Sequence, residues 1–381
     1  MARDDALHVG VVAYEMEGRR SGVGRYLEGL LRGLSSENPD GWRWTLFFRG
    51  DPFPSELFSE DPSAPIRGIF DGRPSARPIV WEQLRLPRLL SRYPLDFLFS
   101  PAYSLPPSVD VPCMLTLHDL SFEHLPEEFG WRERWRRRLL ARRGAARASR
   151  VLTDTQAMAE DLESTYRVDP DRIGVVPLAV EESFFKGSAA GPFPEGLSEL
   201  GLTQPYLLQL GSLLPRRRVD LTLEAFAELA KDEKDLQLVL AGADRLPDRH
   251  ELSRRIQASG VGDRIKHLSW VPEQLLVPLY AHASATIYVS TYEGYGLPPL
   301  ESLAAGTPAI VSSRLALDDL WPDYPLRVER TATSLLNGLW RALHEVPDGF
   351  VAEARGVVGQ LDWHVSARRL VEEILIARGA P

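Results

Sequence analysis

The sequence predicts an α/β protein built from two Rossmann-like halves. Its 381 residues are too many for one typical α/β core. Short apolar runs that suit buried strands alternate with stretches whose apolar residues keep helical spacing. A segment rich in small and turn residues, 187–205, separates two series of such runs and is the best candidate for a linker. We therefore expect one domain in residues 1–186 and a second in 187–361.

The composition is typical of a globular protein in water, with 44% hydrophobic and 25% charged residues. A net charge of −9 argues against a general nucleic-acid binder. The single cysteine, Cys113, excludes an intrachain disulfide and suits a reducing cytoplasm. The sequence has no apolar signal segment and no run of about 20 apolar residues, so we expect neither export nor a membrane span.

The first half begins with a glycine-containing strand-to-helix connection. Residues 7–13 read as a buried strand, and an amphipathic helix opens at Gly22. Gly22 and Gly24 let the backbone approach a ligand at the helix N-terminus. The third glycine of a dinucleotide fingerprint would fall at Leu27, which weakens the case for a nicotinamide-dependent oxidoreductase. Further strands of this half are predicted at 44–48, 66–70, 96–100, 111–117, 151–154 and 173–176.

A histidine, His118, directly follows the predicted strand 111–117. Ligands of open α/β sheets gather at the carboxyl ends of the strands, so the position makes His118 a candidate site residue. A lone histidine at a strand end is more often structural, and this alternative stays open.

Residues 131–150 are the most basic part of an acidic chain, with arginines interleaved by Trp131 and Trp135. Such a stretch suits a peripheral membrane contact or a surface for an anionic acceptor. It is equally typical of a solvated amphipathic helix whose apolar residues cover a sheet, and we favour this second interpretation.

The second half restarts with a strand at 206–210, followed by the glycine and arginine sequence G-S-L-L-P-R-R-R. Guanidinium groups bind phosphate oxygens in a bidentate manner, so Arg216 and Arg217 are candidate phosphate ligands. We expect Arg218 to face solvent. Further strands of this half are predicted at 236–241, 265–268, 285–289 and 309–311.

The sequence after the strand 285–289 predicts a tight turn and a short helix. Glycines permit the turn, and prolines are tolerated only in the first turn of the helix. The N–H groups and the helix dipole at Gly296 and Leu297 would favour a phosphate there. Two acids, Glu293 and Glu301, bracket the turn, which makes sense if sugar hydroxyls flank the phosphates.

These motifs resemble those of the family 4 retaining glycosyltransferases. The stretch E-G-Y-G-L-P-P-L-E, residues 293–301, is similar to the Glu-x7-Glu signature of that family. The loops G-V-G-R-Y (22–26) and G-S-L-L-P-R-R (211–217) also have family counterparts, as does His118 in H-D-L-S-F-E-H-L-P-E-E-F. Arg217 stands where the family has lysine.

The resemblance implies the GT-B fold, in which two Rossmann-like domains flank a cleft and a C-terminal helix, here 362–381, crosses back to the N-terminal domain. It implies that Arg216 and Arg217 hold the diphosphate of a nucleotide sugar with the N–H groups at Gly296 and Leu297. Glu301 would bind the ribose. Glu293 and His118 would contact the transferred sugar as catalytic residues, and Gly22 and Gly24 would approach the donor or acceptor.

The implied function is transfer of a hexose, with GDP-mannose favoured and a UDP-sugar as the alternative, to a sugar or lipid-linked acceptor. The resemblance implies neither a metal nor a further cofactor. From the single cysteine and the missing signal segment we expect a cytoplasmic enzyme, either free or peripheral at the inner membrane face. Two alternatives stay open: a sugar-nucleotide epimerase or phosphorylase of similar fold, and a nucleotide-sugar-binding protein without catalytic activity.

Overall fold

The computed structural model describes residues 6–18, 22–50, 56–73, 77–187, 191–248, 250–312 and 315–379. Contacts divide the chain into two compact units. Unit 1 comprises Met1–Ala179 together with Leu361–Pro381, and unit 2 comprises Val180–Gln360. The predicted boundary, at residue 187, lies a few residues further along the chain.

Unit 1 is built on a parallel sheet whose strand order, within the described residues, is β3-β2-β1-β4-β5-β6-β7. Its strands are β1 (His8–Val12), β2 (Arg43–Phe48), β3 (Ile66–Phe70), β4 (Phe97–Ser100), β5 (Cys113–Thr116), β6 (Arg150–Thr153) and β7 (Ile173–Val175). Its helices are α1 (Gly22–Glu37), α2 (Pro78–Val80), α3 (Leu86–Leu90), α4 (Ser121–His124), α5 (Trp131–Arg147), α6 (Gln156–Tyr166) and, from the chain end, α16 (Trp363–Ala377). The central strands β1, β4 and β5 are wholly buried, as helices on both faces of a parallel sheet require.

Unit 2 has a smaller parallel sheet, of strand order β10-β9-β8-β11-β12 in the described part of the chain. Its strands are β8 (Tyr206–Leu210), β9 (Gln237–Ala241), β10 (Ile265–Leu268), β11 (Ala285–Tyr288) and β12 (Ala309–Val311). Its helices are α7 (Glu182–Phe185), α8 (Glu195–Glu199), α9 (Val219–Leu229), α10 (Glu251–Ala258), α11 (Glu273–Ala281), α12 (Leu297–Ala305), α13 (Ala316–Leu320), α14 (Ala332–His344) and α15 (Phe350–Val358). Of the helices described in either unit, none combines the length and the apolar character needed to cross a membrane.

All twelve predicted strands are present, and their ends differ from the predicted ends by at most two residues. The largest difference is at β5, predicted over 111–117 and observed over Cys113–Thr116. Strand pairing decides these limits: the β5 register with β4 begins at Cys113, whereas an apolar run in the sequence continues past the last paired residue.

The prediction that 187–205 is a linker between domains is wrong for the described part of this segment, which excludes 188–190. Its residues belong to unit 2. The carbonyl oxygen of Gly187 accepts a hydrogen bond from Arg355 Nη2, at 2.6 Å, and Leu197 on α8 is fully buried. Small and turn residues suggested a hinge, but a guanidinium bond and the buried side chains of Leu197 and Leu202 fix the segment to the unit 2 core.

The favoured interpretation of residues 131–150 is right in that they form a helix packed on the sheet, but the packing face is not the one that the tryptophans suggested. Trp131 and Trp135 on α5 are 75% and 65% exposed. The buried face of α5 is made instead by its small residues Ala141, Gly144 and Ala145. Gly144 approaches Leu115 of β5 so closely that an added Cβ would lie 2.7 Å from a leucine methyl group. Small residues thus bring the helix near the sheet and leave both indoles outside.

The C-terminal helix α16 packs on α1 within unit 1, which agrees with the expected return of the chain to the first domain. Two glycines of α1 make room for it: a Cβ at Gly29 would meet the ring of Trp363, and one at Gly33 would meet the carbonyl oxygen of Trp363. Polar contacts also join α16 to α1 and to other parts of unit 1. They are Arg368 with Glu37, Ser36 with His364, Ser366 with the carbonyl oxygen of Pro177, and Arg150 with Glu373.

We predict that Gly33→Ala destabilises the protein by about 1–3 kcal/mol, because the new methyl group overpacks the contact with α16. Gly356→Ala is the matched control, since Gly356 also lies in a helix and a Cβ there meets no atom within 4 Å. Alanine should stabilise that helix by roughly 0.5–1 kcal/mol. Urea denaturation measures both changes, and equal effects of the two substitutions would contradict the packing described here.

Candidate functional site

The turn between β11 and α12 organises the candidate site of unit 2. Gly296 precedes α12 with φ +87°, a left-handed conformation that favours glycine, and a Cβ there would lie 2.8 Å from Leu315. Pro298 and Pro299 follow in the first helical turn and carry no N–H. The N–H groups of Gly296 and Leu297 are therefore the donors that this helix start offers to an anion.

Arg216, Arg217 and Glu293 meet beside this turn. Arg217 Nε donates to Glu293 Oε1 at 3.0 Å, and Arg216 Nε lies 3.7 Å from the same oxygen. The side chains are only 8–15% exposed. The backbone joins the two loops as well, because Thr291 N donates to the carbonyl oxygen of Arg216 at 2.9 Å. Three of the predicted site residues are thus in direct contact.

The charges of this cluster support one another. Burial opposes ionisation of Glu293, but the guanidinium groups of Arg217 and Arg216 outweigh it and lower the pKa of the carboxyl group. Burial likewise opposes the charge on Arg217, and the neighbouring Tyr288 and Glu293 raise the pKa of its guanidinium. The Arg217 guanidinium also lies over the Tyr288 ring, 5.3 Å from the ring centre. The cluster holds two positive charges and one negative charge.

Two glycines at strand ends create the space for Arg217. Gly211, after β8, has φ +113°, and a Cβ there would clash with the Arg217 guanidinium. Gly242, after β9, has φ +150°, and its Cβ would clash with the Gly211 carbonyl. The bare backbone at these strand ends therefore lets Arg217 lie flat against the edge of the sheet, with Nη1 3.3 Å from the carbonyl oxygen of Ser212.

Glu301, the second of the two acids, has different contacts from Glu293. It lies in α12, one turn after Leu297, and is buried, and its Oε2 accepts a hydrogen bond from Tyr280 of α11 at 2.9 Å. Arg218, expected to face solvent, is partly exposed and forms an ion pair with Asp220 at 2.8 Å. Arg218 has a left-handed backbone, with φ +43°, directly before α9, and its guanidinium bonds Asp220 in the first turn of that helix.

In unit 1, His118 lies just beyond β5 and is held at both ring nitrogens. Nδ1 is 2.7 Å from Asp154 Oδ2, and Nε2 is 2.8 Å from the carbonyl oxygen of Pro101. Burial opposes a charge on the ring, but Asp154 and the Pro101 carbonyl outweigh it and raise the pKa of His118. The Pro101 carbonyl can only accept, so Nε2 donates to it, and Nδ1 is hydrogen-bonded to Asp154, whose own pKa is raised by burial. A sugar hydroxyl could accept from His118 only by replacing the Pro101 carbonyl.

Two of the residues around His118 were not predicted from the sequence. Asp154 directly follows β6, and β6 is the neighbour of β5, so the carboxyl ends of adjacent parallel strands bring the acid to the histidine. Tyr26 of α1 packs its ring edge on His118, with 4.9 Å between ring centres. Strand order is the signal that would have identified Asp154, and it requires the fold.

Gly22 and Gly24 lie in the first turn of α1. Gly22 is exposed, and an added Cβ would meet no atom within 4 Å, whereas Gly24 is buried. Tyr26, one turn further along α1, connects this helix start to His118. The two glycines and the histidine therefore lie in one region of unit 1, at the carboxyl edge of its sheet.

A further buried polar cluster lies in unit 1 and contains none of the predicted site residues. Glu82 is 1% exposed and accepts hydrogen bonds from Tyr14 at 2.9 Å and Ser104 at 2.5 Å. Burial raises the pKa of this carboxyl group despite those bonds. Tyr14 follows β1 and Ser104 follows β4, so this cluster also lies at the carboxyl edge of the sheet.

Sequence comparison assigns the chain to a family. Residues 20–184 match the family described as Glycosyltransferase Family 4, and residues 198–323 match Glycosyl transferases group 1. Together the two matches span most of the chain and include every candidate site residue named above. The chain belongs to the family 4 glycosyltransferases.

Two curated relatives illustrate the similarity. The D-inositol 3-phosphate glycosyltransferase of Acidothermus cellulolyticus is 32% identical over 176 residues, which are 44% of this chain and 39% of the relative. The O-antigen chain mannosyltransferase B of Escherichia coli is 26% identical over 274 residues, 70% of this chain and 71% of the relative. This glycosyltransferase chain thus matches well under half the length of the first relative and about seven tenths of the second.

Solved structures agree on the fold. Sucrose-phosphate synthase of Thermosynechococcus elongatus has a TM-score of 0.76 at 20% identity, with 98% of this chain and all of that chain covered. HepE of Anabaena, in complex with UDP and glucose, has a TM-score of 0.71 at 16% identity, with 97% and 99% covered. These likenesses establish GT-B as the fold of this family 4 glycosyltransferase.

We predict that Glu293→Gln destabilises the protein by about 3–5 kcal/mol near neutral pH, because it leaves two buried guanidinium groups without their carboxylate. The lowered pKa makes the ionised form stabilising above the ordinary value of 4.5. That contribution is lost as the pH falls through the lowered pKa.

Urea denaturation of the wild type and Glu293→Gln from pH 7 to acid checks this prediction. The difference in unfolding free energy should shrink as the pH falls. Glu228→Gln, which removes an exposed ion pair with Lys231, is the control and should change the unfolding free energy little at any pH. A difference for Glu293→Gln that does not vary with pH would contradict the assigned ionisation.

Proposed function

We propose that this enzyme transfers a hexose, with retention of anomeric configuration, from a nucleoside diphosphate to a sugar or a lipid-linked sugar. The observation that carries the proposal is the contact of Arg216 and Arg217 with Glu293 beside the start of α12. Two guanidinium groups and two backbone N–H groups form a positive site for a diphosphate, and the carboxylate adjoins it.

Charge stabilisation is the task that this arrangement suits. As the anomeric bond breaks, negative charge grows on the departing diphosphate and positive charge on the sugar ring. Arg216, Arg217 and the N–H groups of Gly296 and Leu297 would stabilise the diphosphate. Because Glu293 is ionised before the donor arrives, no proton has to leave the site when positive charge develops nearby.

The other predicted residues would position the donor and the transferred sugar. Glu301 would accept hydrogen bonds from the ribose hydroxyls, exchanging or sharing its bond from Tyr280. His118 would bind a hydroxyl of the transferred sugar through Nε2, with Asp154 holding the opposite nitrogen protonated. The backbone at Gly22 and Gly24 would approach the donor or acceptor.

Mannose is the favoured sugar, and GDP-mannose the favoured donor. The relatives from Escherichia coli and Salmonella typhimurium are named O-antigen chain mannosyltransferases, and one from Mycolicibacterium hassiacum is an alpha-(1->4)-mannosyltransferase. One structure of HepE, in contrast, is of its complex with UDP-glucose. A UDP-sugar is therefore the alternative donor. The reaction would take place in the cytoplasm, which suits the buried, unpaired thiol of Cys113.

We further propose a front-face mechanism that needs no metal. The departing phosphate would take the proton of the attacking acceptor hydroxyl, while the new glycosidic bond forms on the face from which the diphosphate leaves. Arg216 and Arg217 would stabilise the negative charge on the leaving diphosphate. The transfer rate should accordingly be unchanged by EDTA, and a loss of activity that added Mg²⁺ restores would contradict this mechanism.

We predict that Arg216→Ala lowers kcat/KM for transfer by about 10²–10³, because one donor to the leaving diphosphate is lost. Arg218→Asn is the matched control: it removes the adjacent guanidinium, which pairs with Asp220, and asparagine tolerates the left-handed backbone. Glu301→Ala should lose activity to a similar extent. Steady-state kinetics with thermal unfolding of each variant measure the effects. Full activity of Arg216→Ala or Glu301→Ala in a folded protein would refute the site.

We predict that the true donor nucleotide raises the melting temperature selectively. A nucleotide at 100 times its Kd stabilises the folded state by about 2.7 kcal/mol. GDP, GDP-mannose, UDP and UDP-glucose are compared on the wild type and on Arg216→Ala. A shift with the GDP compounds alone supports GDP-mannose, and one with the UDP compounds alone excludes it. The shift should be reduced in Arg216→Ala.

A further inference from the structure

The outward face of α5 combines exposed indoles with a high density of positive charge. Trp131 and Trp135 are one turn apart and are 75% and 65% exposed. At about 100° per residue, Arg132, Arg136 and Arg143 follow them on the same exposed side of the helix. We call these five residues the tryptophan–arginine face: Trp131, Arg132, Trp135, Arg136 and Arg143.

Helix α5, which carries this face, has far more positive than negative charge. Helix α5 contains eight arginines and one acid, Glu133, which pairs with Arg137 at 2.9 Å. Glu123 pairs with Arg138 at 2.6 Å and Arg142 at 3.1 Å. Among the residues that the structure describes, the three arginines of the tryptophan–arginine face form no ion pair with a carboxylate. In a chain of net charge −9, this is a strong local reversal of sign.

The indoles have no packing role that would explain them. The buried side of α5 consists of Ala141, Gly144 and Ala145, as described above. Arg132 lies over the ring of Trp131, with 5.1 Å from its guanidinium carbon to the ring centre, so apolar surface and charge form one continuous patch. Two large exposed aromatic side chains on one helix are costly in water unless another surface covers them.

We propose that the tryptophan–arginine face docks on the surface of an anionic lipid bilayer. Indole rings favour the headgroup level of a bilayer, and arginines beside them are attracted to anionic lipids. An anionic polymer in solution would satisfy the arginines but would leave the indoles in water. The combination of both residue types on one face therefore favours lipid over a soluble acid. This docking is independent of the reaction that the enzyme catalyses.

Vesicle co-sedimentation of the full chain tests the proposal. We expect binding to vesicles of equal parts phosphatidylcholine and phosphatidylglycerol and none to pure phosphatidylcholine. Trp131→Ser/Trp135→Ser should lower the partition coefficient at least about tenfold. Arg132→Gln, Arg136→Gln and Arg143→Gln should each lower it about five-fold, and added salt should weaken binding further. Unchanged thermal unfolding would show that the variants fold, as their exposed positions require.

Matched controls lie in unit 2. Trp340→Ser removes a tryptophan that is 49% exposed outside α5, and Arg254→Gln removes an exposed arginine of α10. Both should bind vesicles like the wild type. Binding that the double tryptophan variant retains in full, or absence of binding to the anionic vesicles, would overturn the proposal. A third outcome would also overturn it: soluble dextran sulfate abolishes vesicle binding, and the tryptophan substitutions leave that binding unchanged. Such a result would indicate a site for soluble polyanions.

Discussion

The guanidinium group of Arg217 lies against the backbone of Gly211 and bonds Glu293, and the candidate site of unit 2 depends on this ion pair. A carboxylate beside the start of α12 would by itself repel a diphosphate. With Arg217 and Arg216 in contact, the carboxylate is neutralised and net positive charge remains. The same bond fixes the loop after β8 to the loop after β11, so that one interaction both sets the charge and joins the two strand ends.

Much of the fold could be predicted because parallel sheets have a strong sequence signature. Strands buried on both faces are short apolar runs, and each of the twelve runs predicted here to be a strand proved to be one. What failed were predictions from composition. The segment 187–205 has the residues of a flexible linker, yet Arg355 binds Gly187 and Leu197 is buried. Helix α5 packs with alanine and glycine, whereas its tryptophans suggested a packing face.

The sequence placed the unit 2 candidates near one another because glycines and prolines mark the turn at which the chain changes from strand to helix. It assigned Glu293 to the sugar and Arg217 to phosphate as separate tasks, and their ion pair became visible only in three dimensions. The partners of His118 could not be predicted from the sequence for another reason. Asp154 lies 36 residues away and is brought close by strand order, which a single sequence does not contain.

The return of α16 to α1 has a consequence for synthesis. Helix α1 presents Gly29 and Gly33 to a partner that begins at Trp363, so this surface of unit 1 has nothing to pack on until the ribosome has translated nearly the whole chain. Unit 2 ends at Gln360, so all of its residues are translated before α16. The N-terminal unit, although made earlier, is finished last, and nascent chains that stop before Trp363 would expose the glycine face of α1 to chaperones and proteases.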